Sequence, residues 1–394
     1  MLRSSPPGIH PLRSGLGVRK WLADQLMNAS LAATNSLYAT LYTIPLICAL
    51  GARVGSWAEV STVAHLDPDL LTLGPESFVA DLASLGSARY HHGNVALAPT
   101  TVGRRSFVGN AAVVPAGTEL GDGSLIGVHT TPPASGVPAG SSWLGSPAIF
   151  LPRRQESQSF GDELTFRPSR RRVVERLAIE YLRVTLPATM LGAVGFLTLL
   201  AIADVARHAS LGVLIAATPA LLVLAGLGAT LAVIILKWTI VGRYRPRVEP
   251  LWSRFVRRTE LVTGLYETVA VPSLLGGLTG TPMLGPVLRL FGARIGRRTW
   301  LGTTFLTEFD LVRIGDDGAV GPLSSLQTHL FEDRVMKMST VTIGPQATVG
   351  ARSVVLYDAE VGAGATLDAL SLVMKGERVP AGTRWRGIPC RAAG

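Results

Sequence analysis

Val341–Gly382 reads VTIGPQATVGARSVVLYDAEVGAGATLDALSLVMKGERVPAG, and its aliphatic residues stand six apart at Ile343, Val349, Val355, Val361, Leu367, Val373 and Val379. A period of six matches neither the 3.6 of a helix nor the 2 of a simple strand. It matches a coil in which each hexapeptide forms one flat side of a triangular turn, with the aliphatic pointing inward and a small residue after it at the corner. Gly344, Gly350 and Gly362 follow their aliphatics in this way. The stretch therefore predicts a parallel β-helix with one continuous aliphatic ladder inside.

The same texture recurs upstream. Val102, Val108, Val114, Leu120 and Ile126 are again six apart, with Gly103 and Gly109 at corner positions, and Val54-Gly55 and Leu73-Gly74 repeat the dipeptide. This predicts a first β-helix over 51–150 and a second over 292–394. The two are copies. GARVG at Gly51–Gly55 falls on GARIG at Gly292–Gly296, an offset of 241, and Asp69-Leu70 falls on Asp310-Leu311 at the same offset. Beyond a one-residue insertion, VPAG at Val137–Gly140 matches Val379–Gly382, and WLGSP at Trp143–Pro147 matches WRGIP at Trp385–Pro389. HPL at His10–Leu12 resembles EPL at Glu249–Leu251, so the repeated unit is a helical lead (1–50 and 237–291) followed by a coil.

Between the copies lies a basic linker, 151–183, containing RRQESQSF (Arg153–Phe160) and PSRRRVVERL (Pro168–Leu177). Val184–Ala203 and Ala209–Leu236 then carry no charge, and each is long enough to cross about 30 Å of hydrocarbon as a helix. They predict a membrane hairpin over 184–236, with Asp204, Arg207 and His208 in its connection and kinks at Pro187 and Pro219. A buried hairpin of a soluble protein is the plainer alternative, but these segments exceed an ordinary core helix in length. Mean hydropathy is +0.35 and only 16% of residues are charged, which agrees with membrane segments.

Arg167, Arg170, Arg171, Arg172, Arg176 and Arg183 precede the hairpin, and Lys237, Arg243, Arg245 and Arg247 follow it, against one Arg in its turn. By the positive-inside bias both coils face the cytoplasm from a multi-pass position in the cell membrane. The net charge of +10 is thus assigned to membrane flanks and lipid, and no nucleic-acid module signature occurs. Leu26–Leu50, broken by Asn28, Asn35 and Pro45, suits a membrane-surface or packing helix as well as a span. No compact apolar region precedes a small-residue cleavage site, so no signal peptide is read. Cys48 and Cys390 support neither a disulfide nor a metal site.

The copies differ where chemistry would sit. LQTHLFEDR at Leu326–Arg334 interrupts the six-residue rhythm after Val320, and the aligned residues Leu85–Gly93 read LGSARYHHG. His329 faces Ala88, while His91 and His92 lie a few residues further on as secondary candidates. A neutral imidazole can take the proton of an attacking amine or hydroxyl, so His329 is the candidate general base, with Glu332 or Asp333 as its orienter. The structural alternative is a surface or capping histidine. Ser124 in LGDGSL, on a rung between Leu120 and Ile126, reads as structural, as do Trp143 and Trp385, which suit packing at the coil ends.

Hexapeptide ladders with a histidine leaving the coil resemble the left-handed β-helix acyltransferases, whose histidine activates the acceptor. The fold class is accordingly mainly β, with two tandem left-handed parallel β-helix units plus α-helical membrane segments. KWTIVGRYRP (Lys237–Pro246), QTHLFEDRVMKM (Gln327–Met338), VGNAAVVPAGTELGDGSLIGV (Val108–Val128) and SWLGSPAIFLPRR (Ser142–Arg154) look narrower: they resemble the C-terminal membrane region of poly-ε-lysine synthetase-type non-ribosomal peptide synthetases. The resemblance covers nearly the whole chain. It implies amide formation between an amine and an aminoacyl thioester carried on phosphopantetheine, with no metal and no resident cofactor. Two departures stand out: two soluble units are visible where the family has three, and no adenylation or carrier domain is present. Those partners would come from another chain, or the chain is a split or truncated member. The fold also admits an acetyl-CoA-dependent acetyltransferase, a non-catalytic membrane scaffold for a synthetase, and oligomers, since hexapeptide proteins are often trimers.

Overall fold

The computed structural model describes residues 5–63, 65–152 and 160–393, so Arg153–Ser159 of the predicted linker lie outside the described residues. The chain divides into two compact units, Met1–Pro168 and Ser169–Gly394.

In the first unit, two- and three-residue strands pair in parallel with partners eighteen positions on, Thr101 with Glu119 and Phe107 with Leu125. This is one triangular turn per three hexapeptides. Val102, Val108, Val114, Leu120 and Ile126 all lie inside the coil, none more than 2% exposed. Gly103 and Gly109 are required by close approach. A Cβ on Gly103 would come within 2.6 Å of the Asp122 nitrogen, and one on Gly109 within 2.8 Å of the Gly127 carbonyl carbon. The left-handed corner geometry falls two residues later, on Arg105 (φ 53) and Ala111 (φ 52). The last coil strand, Ser142–Leu144, is covered by the antiparallel strand Ile149–Leu151, where Trp143 packs on Phe150 with ring centroids 5.6 Å apart. That strand caps the parallel coil and becomes the edge strand of this sheet.

At one point the parallel register lengthens: Phe78 pairs with Phe107 and Ser84 with Val113, twenty-nine positions apart. The extra residues form a hairpin, Arg89–His91 with Asn94–Leu97, which leaves the coil and is joined by Gly8–Pro11 as a third strand.

The second unit repeats this plan. The ladder from Ile343 to Val379 is at most 1% exposed, and its strands pair at eighteen, as Thr348 does with Thr366. The long register recurs between Arg313 and Thr342. Its hairpin, His329–Glu332 with Val335–Met338, is joined by Arg247–Pro250. Pro250 faces Val335 as Pro11 faces Asn94. The helices that follow start alike: Ser14 accepts from the Gly17 amide and Ser253 from the Val256 amide, each at 3.2 Å. The repeat inferred from His10–Leu12 and Glu249–Leu251 is therefore a repeat of structure.

Three helical segments, Asp162–His208, Leu211–Ile240 and Arg254–Leu278, are long and apolar enough to cross a membrane. The hairpin expected over 184–236 is longer at both ends. A continuous helix runs Arg170–His208, so much of the supposed linker is helical, and Asp204, Arg207 and His208 close that helix instead of forming a loop. The arginines mark this stretch as linker by composition, but charge alone does not break a helix. The third segment lies within the predicted lead and contains a π-helical stretch, Tyr266–Leu275, around Pro272. Gly226 lets the second helix approach it, since a Cβ there would lie 2.3 Å from the Ser273 carbonyl oxygen.

Candidate active site

His329 opens a β-strand, so the excursion is an ordered hairpin and not the loop expected from its polarity. The six-residue rhythm also continues one rung further than predicted, through Leu326, which is 1% exposed. The site thus sits where a rigid ladder hands over to a hairpin.

Alternation along the strand decides which carboxylate serves the histidine. His329 and Phe331 share one side, with ring centroids 5.6 Å apart, and Leu330 and Glu332 point to the other. Glu332 is therefore not the orienter. It accepts from Lys337 Nζ at 2.9 Å and from Lys375 Nζ, tying the hairpin to a later rung of the coil. Burial works against its charge and the two lysines outweigh that, holding the carboxyl below its ordinary range. Asp333 lies in the left-handed turn at the tip, the far end of the hairpin from His329 (φ 50).

The partner is Glu308, which the sequence reading did not select. Its Oε2 lies 2.7 Å from His329 Nδ1 and accepts from the Thr328 hydroxyl at 2.6 Å. The carboxylate is 1% exposed. Burial would raise its pKa, but the His329 ring, Thr328 and Thr307 together hold it below the ordinary carboxylate range. An ionised Glu308 fixes Nδ1 as the hydrogen-bearing nitrogen and makes Nε2 the basic one.

Glu308 is held in an unusual conformation, φ 38 and ψ 60, at the start of the turn Phe309–Leu311. A side-chain-bearing residue there costs about 1–2 kcal/mol, so the surroundings must enforce it. They do so from several sides. Phe309 packs between Tyr266 and Phe291, both at 4.8 Å between centroids, and Tyr266 donates to the Thr304 carbonyl at 3.0 Å. Asp310 accepts from Lys237 Nζ at 2.8 Å and from the Tyr244 amide at 3.1 Å. Lys237 belongs to the last turn of the apolar helix Leu211–Ile240, so that helix is bonded to the segment that aims Glu308.

The first unit lacks this pair. At the offset of 241, Glu308 corresponds to Asp67 and His329 to Ala88. Asp67 is buried and paired with Lys20 Nζ at 2.8 Å. His91 and His92 are exposed at the hairpin tip, their rings 3.8 Å apart, and neither meets a carboxylate as His329 does. Carboxylates stand at corresponding places in both copies, Glu308 with Asp67 and Asp310 with Asp69, so the sequence marks this turn without selecting Glu308 within it. Ser124 is fully buried and bonded to Ser106, in keeping with a structural role.

Among known proteins the chain is 43% identical over 383 residues, 97% of its length, to the delta-poly-L-ornithine synthetase of Acinetobacter baumannii. The likeness to the poly-ε-lysine type of synthetase is thereby shown. The chain spans 29% of the length of that synthetase. No family model matches the chain. Among solved structures, a hexapeptide-repeat acetyltransferase of Vibrio cholerae is 18% identical, with 43% of this chain and 91% of that one covered at a TM-score of 0.26. A perosamine N-acetyltransferase of Caulobacter crescentus, solved with CoA and GDP-perosamine, is also 18% identical, covering 26% of this chain and 51% of that one at a TM-score of 0.21.

Proposed function

We propose that the second unit catalyses amide formation between an aminoacyl thioester and an amine, as the acyl-transfer portion of a non-ribosomal peptide synthetase system. The observation that carries this reading is the His329–Glu308 pair, a general base oriented by a buried carboxylate. The amine nitrogen attacks the thioester carbonyl carbon while His329 Nε2 takes the amine proton. The C–S bond then breaks, and the imidazolium returns that proton to the departing thiolate. Glu308 stabilises the imidazolium between the two steps. The donor is a phosphopantetheine thioester on a carrier domain, loaded by an adenylation domain. Both belong to parts beyond the matched region or to another chain. The coils face the cytoplasm, where such a carrier would reach them.

The test uses the full chain in detergent or proteoliposomes, with carrier-bound aminoacyl thioester in one arm and acetyl-CoA in the other. Amide product from the carrier arm, lost in His329→Ala with membrane insertion intact, is the expected result. Product from acetyl-CoA alone would assign an acetyltransferase instead. Full activity of His329→Ala would overturn the mechanism.

A further inference from the structure

The short helix Leu284–Phe291 of the second unit is apolar on two opposite sides. Leu284, Leu288 and Phe291 are fully buried, and Phe291 packs on Phe309, the residue after Glu308, at 4.8 Å between centroids. Positions three and four apart lie on one side of a helix, so Met283, just ahead of it, shares the other side with Pro286 and Leu290. Met283 and Leu290 are each 58% exposed, and Pro286 is exposed as well. The one charged residue of the helix, Arg289, turns back to the coil. Its Nε donates to the Ile295 carbonyl at 2.7 Å and its Nη2 to the Gly296 carbonyl at 2.6 Å. The outward strip is therefore uncharged, and at the offset of 241 its positions are Tyr42, Pro45 and Ala49, uncharged again.

A surface helix facing water is apolar on one side and polar on the other. Here the chain segments before and after the helix cover its inner side. Tyr266 packs on Phe291 at 5.4 Å, and a Cβ on Gly285 would lie 3.4 Å from Ile295 Cγ2. The outer side joins a different surface. Trp238 Nε1 donates to the Leu290 carbonyl at 2.9 Å, and Trp238 ends an outward stripe of Leu211–Ile240 formed with Leu227, Leu231 and Ile235, 42–54% exposed. Exposed apolar residues thus continue from a helix long enough to cross a membrane onto Leu284–Phe291.

We propose that Leu284–Phe291 is a membrane-surface helix. Met283, Pro286 and Leu290 lie at the boundary of lipid headgroups and acyl chains, level with Trp238, while Phe291 on the opposite side supports the turn that aims Glu308. Lipid is favoured over a protein partner by continuity with the apolar helix and by a tryptophan where the two meet. The strip is also narrow for a protein interface, which buries about 800 Å² on each partner. The inference rests on the reading of Leu211–Ile240 as a membrane helix, and it is independent of the transfer chemistry.

The test places spin labels singly at positions 283 and 290 of the full chain, with exposed Cys48 replaced by Ser, in vesicles of phosphatidylethanolamine and phosphatidylglycerol. A label at Leu224, 61% exposed on the apolar helix, reports the hydrocarbon. A label at exposed Ala381 reports water, since it follows Arg378–Val379, at the opposite end of the sheet that begins with Arg294–Ile295 beside the helix. The expected oxygen-to-nickel accessibility ratio at 283 and 290 is several-fold above that at 381 and below that at 224. Nickel access at both positions equal to that at 381 would mean water, and low access to both reagents would mean a protein cover; either overturns the inference while 224 still reads lipid. A ratio equal to that at 224 would sink the helix into the hydrocarbon and overturn the surface placement. Water at 224 would overturn the membrane reading itself, and the inference with it.

Discussion

His329 Nδ1 and Glu308 Oε2 lie 2.7 Å apart although twenty-one residues separate them in sequence. The contact joins the hairpin to a turn of the preceding coil, so the base is oriented by the scaffold and not by its own strand. Glu308→Gln keeps the shape and removes the charge. It should lower the rate of amide formation about 10²–10⁴-fold, since an amide cannot fix the tautomer or stabilise the imidazolium. Single-turnover assays on carrier-bound thioester would measure this. Asp333→Asn, at the hairpin tip, should leave the rate near that of the parent.

Glu332 should behave differently from Glu308. Its bonds to Lys337 and Lys375 hold the hairpin against the coil, and a charged bond of this kind contributes about 1.5–3 kcal/mol. Glu332→Gln should speed hydrogen exchange across 329–338 and lower activity less than Glu308→Gln does.

Lys237 and Asp310 form a buried pair, 0% and 6% exposed at their side chains. Lys237→Met strands a carboxylate and should cost about 3–5 kcal/mol of stability. Adding Asp310→Asn should recover part of that loss, because the two substitutions act on one contact. Denaturation in detergent micelles, run as a double-mutant cycle, checks both statements.

In the first unit, Glu76 lies beneath Arg105 Nε at 2.5 Å and Arg167 Nε at 2.7 Å. Burial would raise its pKa, but the guanidinium groups pull it down to about 2 from an ordinary 4.5. A depressed carboxylate stabilises the fold above its unfolded pKa, and that contribution disappears as pH falls through the folded value. Thermal melting should therefore show stability lost between about pH 4.5 and 2, and Glu76→Gln should flatten that slope.

Corner glycines carry a steric prediction. A Cβ on Gly350 would sit 2.4 Å from the Ala369 nitrogen, so Gly350→Ala must push two rungs apart. A loss of about 1–3 kcal/mol is expected, as for other overpacked sites, and melting temperature would report it.

The aliphatic ladders were legible because every rung repeats one demand, an inward side chain each six residues, and Val102 through Ile126 and Ile343 through Val379 all meet it. The copy relation was legible for the same reason. Helix boundaries were less so: Arg170–Arg172 extend a helix into what composition marks as linker. The orienter of His329 is not legible in the sequence, because the carboxylates nearest to it along the chain are not the one nearest to it in space. Reading 329–332 as a strand would have removed Glu332 by alternation. Choosing Glu308 required knowing which rung lies beneath the hairpin, and that depends on the long register between Arg313 and Thr342.

That register has a consequence for how such a protein can change. Eleven residues separate the long spacing from the ordinary one, and the flanking strands stay in step on either side of them. The hairpin is therefore an insertion the scaffold tolerates whole: it can be exchanged, shortened or stripped of its histidine while the ladder goes on folding. Two copies with matching ladders and unlike hairpins are what duplication yields when the frame is inherited and the working part is free to diverge.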